Sequence, residues 1–86
     1  MPEISRFYGI IIRMFYDDHA PPHFHAVYAE HELTVGISPI QVLEGSAPGR
    51  ARSMVLEWAA LHQNELMADW DYCRRGEPTV AIAPLE

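Results

Sequence analysis

Eighty-six residues are one domain's worth of chain (1–86), and a chain this short hides only about 60% of its unfolded surface, a thin margin that homodimerisation would widen. Hydrophobic residues at 49% and charged residues at 21% exclude a disordered chain and fit a globular domain with apolar surface to spare for a protein partner. Twelve acidic against six basic residues, all arginine, give a formal charge of −6 that opposes the long-range attraction nucleic-acid binders use. The pairs Arg50/Arg52 and Arg74/Arg75 are the local exceptions.

Cys73 is the sole cysteine, so neither an intrachain disulfide nor a cysteine-based zinc cluster forms, and a reducing cytoplasm is the expected setting. No signal-peptide core is expected in Met1 to Arg6, and the apolar run Phe7 to Ile12 stops at Arg13, far short of a membrane span.

From Phe7 to Tyr16 nearly every residue is aromatic or β-branched, which predicts a first strand. Asp17 to Pro22 then interrupts regular structure, because Pro21 and Pro22 fix φ, remove two amide donors and hold Ala20 extended. A second strand is expected from His23 to Ala29, a reversal at Glu30-His31, and a third strand from Glu32 to Ile37. Alternation sets Phe24, Ala26 and Tyr28 against His25 and Val27, and Leu33, Val35 and Ile37 against Thr34, Gly36 and Ser38. Ile40 to Leu43 is a short fourth strand or an extended connection.

A helix is expected to start with Ser46 or Ala47 near its cap and Pro48 in its first turn, and to run towards Arg75. Val55, Ala59, His62, Leu66, Trp70 and Cys73 form its apolar stripe, which Met54, Trp58 and Leu61 widen. A break near Gln63-Asn64 would divide it in two. Gly76 supplies the stop, with Pro78 beyond it. The tail from Thr79 to Leu85 is apolar enough for an edge strand or for docking on a partner. The fold class is α+β: a three- or four-stranded antiparallel β-meander with a C-terminal helix, or two, packed on one face.

The most informative stretch is Asp17-Asp18-His19-Ala20-Pro21-Pro22-His23-Phe24-His25, which holds three of the five histidines. Imidazole changes charge near neutral pH and is the commonest protein ligand for transition metals. His23 and His25, two apart on a strand, share one face, with His19 across the turn as a third nitrogen and Asp17 or Asp18 as a carboxylate ligand or orienting acceptor. That set suits zinc, nickel, manganese or iron. A metal-free reading makes His23 and His25 the acid and base of a phosphodiester cleavage, with Arg13 stabilising the developing charge. Against both stands a purely structural turn.

Elsewhere the plainer roles prevail. His62 is expected to be a core histidine hydrogen-bonded to a neighbour, His31 a turn residue, Trp58 and Trp70 core, Cys73 a buried thiol, and Arg13 in its plain role solvent-exposed or salt-bridged to Glu32. Phe7 and Phe15, placed on the face of Arg13, would need a second subunit or another protein to cover them.

The opening Pro2 to Ile10, the run Asp18-His19-Ala20-Pro21-Pro22-His23-Phe24-His25-Ala26, and Leu56-Glu57-Trp58-Ala59 before Leu61-His62 resemble the small bacterial family known as domain of unknown function 4160. The resemblance covers nearly the whole chain. It implies a protein of unassigned activity, often encoded beside a member of domain of unknown function family 2442 in an arrangement like a toxin-antitoxin pair. Three functions are therefore expected: a cytoplasmic protein-partner module of such a gene pair with a divalent-metal site at His19, His23 and His25; a small endoribonuclease toxin; or an acidic antitoxin-like binder with structural histidines.

Overall fold

The computed structural model describes residues 2–16 and 19–86. Five strands, β1 (Glu3–Phe7), β2 (Ile10–Arg13), β3 (His23–Tyr28), β4 (His31–Ile37) and β5 (Ile40–Ser46), precede two helices, α1 (Gly49–Leu61) and α2 (Gln63–Arg74). The strands pair in sequence order as one antiparallel meander. The expected α+β class holds, with five strands rather than three or four.

The first difference lies at the N-terminus. The expected single strand Phe7 to Tyr16 is split: Tyr8 and Gly9, at φ 50° and 80°, make the tight turn of a β1–β2 hairpin. Two successive positive φ values match the right-handed twist of the flanking strands. Phe7 consequently faces the helices, stacked on Trp58 at 5.4 Å and 5% exposed. It is not on the face of Arg13, and it needs no second subunit to cover it.

The second difference is at β5, which runs on from Ile40 to Ser46 past an irregularity opposite Thr34 and Val35. The extra residue there is Leu43, so the strict alternation that marks a strand in sequence is lost halfway. Glu30 does lie in the β3–β4 reversal, together with Ala29 at φ 52°, whereas His31 already belongs to β4.

α1 begins at Gly49 with Pro48 as its cap residue, one position earlier than a first-turn proline, and no side chain caps it. The helical run breaks at His62 (φ −122°, ψ 26°), which ends α1 and opens α2. The predicted stripe is buried at Val55, Ala59, Leu66, Trp70 and Cys73, with Trp58 beside it. Leu61, expected to widen it, is 67% exposed because the break turns this last residue of α1 outward. α2 ends in paired bonds, Gly76 N–H to Cys73 O and Glu77 N–H to Tyr72 O, that satisfy its last carbonyls. Neither helix is long and apolar enough to cross a membrane.

The core lies between the helices and one sheet face, where Ile12, Ala26 and Leu33 sit side by side across three strands. The tail forms no strand; it docks on its own domain. Ile82 N–H donates to Ile4 O, Val80 N–H to Asp69 Oδ1, and Trp58 Nε1–H to Ala83 O, each at 2.8 Å. Pro78 and Pro84 flank this segment without amide donors, which keeps it from extending into a ladder.

One glycine is a sharp test of the β4–β5 packing. Gly45 has φ 86°, and a Cβ there would fall on the Glu32 carbonyl oxygen. Gly45→Ala is expected to lower unfolding free energy by about 2–4 kcal/mol, combining left-handed strain with a backbone clash. Gly49→Ala, in open space at the start of α1, should instead raise it by about 0.5–1 kcal/mol; urea titration of both variants measures the contrast.

Candidate functional site

Phe24 is fully buried against Trp58, ring centroids 5.8 Å apart. Since side chains alternate along a strand, this sets His23 and His25 on the opposite face of the sheet. Cross-strand register then builds a row over that face: Arg13, His25, Thr34 and Glu44 lie opposite one another on β2, β3, β4 and β5. Arg13 thus comes beside His25.

The histidines form a chain of ring contacts. His23 and His25 lie 5.2 Å apart between centroids and His19 and His23 5.9 Å apart. Phe15 stands edge-on to His25 at 4.5 Å, and Trp70 of α2 packs on His23 at 5.2 Å. His23 is therefore only 5% exposed although it belongs to the open face. A cleft of about 350 Å³ opens over His19, His23, His25, Thr34, Leu43 and Glu44.

One hydrogen bond orients the His23 ring, and a carboxylate approaches the His25 ring. His23 Nδ1 donates to the Pro21 carbonyl oxygen at 2.6 Å, so Nδ1 carries a proton. The proline turn thus fixes one protonated nitrogen of the histidine that follows it. His25 Nδ1 lies 3.3 Å from Glu32 Oε2, so Glu32 is a partner of His25 rather than the expected partner of Arg13. A carbonyl or carboxylate at one imidazole nitrogen commonly orients the other nitrogen for a metal or a proton transfer.

Of the expected ligands, His19, His23 and His25 are brought together; Asp17 and Asp18 lie outside the described residues. Among the described residues no group of three His, Cys, Asp or Glu is already drawn into a metal-holding arrangement. His31, 3.5 Å from Glu30, and His62, 2.6 Å from Glu65, are elsewhere. Cys73 is fully buried as expected, whereas His62, expected in the core, is only half-buried and hydrogen-bonded to the exposed Glu65.

Sequence reasoning missed Thr34 and Glu44 as neighbours of the cluster, and Trp70 as the floor under His23. The strand alternation signals Thr34 on the histidine face; nothing local signals Glu44, whose placement follows from the β5 irregularity, or Trp70.

The two histidines of β3 should differ in what they hold up. His23→Ala removes a buried ring and its bond to Pro21, at an expected cost of about 2–3 kcal/mol. His25→Ala, at the cleft, should cost about 1 kcal/mol. Denaturant unfolding followed by tryptophan emission, to which Trp70 contributes, separates them.

The chain matches the family described as Domain of unknown function (DUF4160) over residues 9–71, a stretch that contains the histidine run, all three cleft strands and most of the helices. No curated protein and no solved structure matches it. By the breadth of that match, the chain belongs to the DUF4160 family.

Proposed function

We propose that the chain is a divalent transition-metal protein whose ion is held by His23, His25 and His19, with Asp17 or Asp18 completing the site. The single observation that carries this is the way His23 and His25 stand side by side with Nδ1 of each turned to an oxygen, Pro21 O and Glu32 Oε2. Two imidazoles on one tetrahedral ion at about 2.1 Å from each nitrogen have centroids roughly 5 Å apart, and the 5.2 Å between these rings is of that size. The site draws its third nitrogen, His19, from the proline turn. A mixed imidazole and carboxylate set favours zinc or nickel over manganese.

Equilibrium dialysis against zinc, nickel and manganese, read by elemental analysis, is expected to give one ion per chain. Glu32→Gln should weaken zinc binding by roughly tenfold or more, and His25→Ala should abolish it. Absence of a stoichiometric ion, or binding indifferent to His25→Ala, overturns the reading.

A second reading is favoured by the register alone: Arg13 is directly opposite His25 on the open face. In it, His23 and His25 act as acid and base in phosphodiester cleavage, and Arg13 stabilises the charge that develops on the phosphate. Expression of the unaltered chain is then expected to arrest growth, with His25→Ala and Arg13→Ala each relieving the arrest. Harmless expression of the unaltered chain rules it out.

A further inference from the structure

Asp69 stands apart from the histidine site and poses its own question. Its residue is 1% exposed, Oδ1 accepts the Val80 amide at 2.8 Å, and Oδ2, also buried, has no hydrogen-bond partner among the described residues. A carboxylate taken out of water with half its acceptor capacity unused is costly, and native proteins rarely leave one so. Burial pushes its carboxyl above the usual carboxylate range, the Val80 amide pulls it back, and the charge of Glu65 adds to the rise.

Asp69 lines a pocket of about 190 Å³ between α2 and the docked tail, together with Glu65, Ala68, Tyr72, Val80 and Ile82. A single structural water needs roughly 15 Å³ of such space, so the pocket accommodates a small molecule. Its charge is one-sided: two carboxylates, a phenol and three apolar side chains, with no cationic residue in the lining. Glu65 is shared with His62, whose Nδ1 lies 2.6 Å from Oε1.

We propose that this pocket binds a small alkylammonium ion, its head against the carboxylates of Asp69 and Glu65 and its alkyl body against Ala68, Val80 and Ile82. The competing cations fit less well. A guanidinium recognises a carboxylate through both oxygens at once, and Oδ1 is already committed to Val80. A hard divalent ion takes six or more oxygen ligands, which a half-apolar wall does not offer. An ammonium is a compact charge that one carboxylate oxygen satisfies, with further N–H donors for Tyr72 and Glu65.

The test is a titration of the full chain with propylammonium chloride, following the Val80 and Ala68 amide resonances by NMR. Saturable shifts are expected with a Kd on the order of 1–10 mM, the range open to so small a ligand. Asp69→Asn keeps an acceptor for Val80, and Ala68→Leu fills the pocket without touching Asp69. Each should weaken binding roughly tenfold or more. Tetramethylammonium, which has no N–H donor, and sodium at equal ionic strength should produce no saturable shift. The proposal is overturned if propylammonium fails to saturate, if tetramethylammonium binds as well, or if Ala68→Leu leaves affinity unchanged.

Discussion

The placement of the histidine row on the sheet rests on Phe24 lying edge-on against Trp58 in the core. A ring of that size, fully buried, contributes about 1.5–3 kcal/mol by burial alone. Sliding β3 by one residue would forfeit this and drive His23 and His25 into the apolar layer. The pleat therefore converts one hydrophobic contact into a fixed address for two imidazoles. Neighbouring strands inherit that address, so Arg13, Thr34 and Glu44 reach the histidine face by register and not by any affinity for histidine.

Much of this was legible in the residues, and what was not has identifiable physical causes. β3 and β4 could be read because their alternation is strict and their reversal short. The β1–β2 hairpin could not, because its turn uses Tyr8 where asparagine or aspartate would advertise it, leaving Gly9 as the only signal in an otherwise unbroken aromatic and β-branched run. The division expected near Gln63-Asn64 falls at His62, one residue earlier; it stood only as an alternative because the break carries no glycine or proline and the apolar stripe passes straight across it. His23 and His25 were legible as a pair because two residues is the period of a strand.

Contacts between distant segments were the least visible. Glu32 turns to His25, and Trp70 floors His23, through packing that no local pattern records. Asp69 reads in sequence as an ordinary member of a polar helix face. It becomes buried only because the tail lands on it eleven residues later. The two places of chemical interest thus arise differently, one from the local geometry of a strand and a proline turn, the other from a closure that exists only in the folded chain.

The docked tail also determines how the sheet meets other sheets. Of the two outer strands, β1 has its rim occupied by Ile82, whose amide takes the Ile4 carbonyl. The opposite rim, β5, is left open but carries the extra residue Leu43 and an acidic neighbour, Glu44. Unpaired rims recruit further strands and seed aggregates unless blocked, bent or charged. Here one margin is engaged by the segment 79–85 and the other carries an irregularity beside an acidic residue, two of the devices that discourage further strand addition.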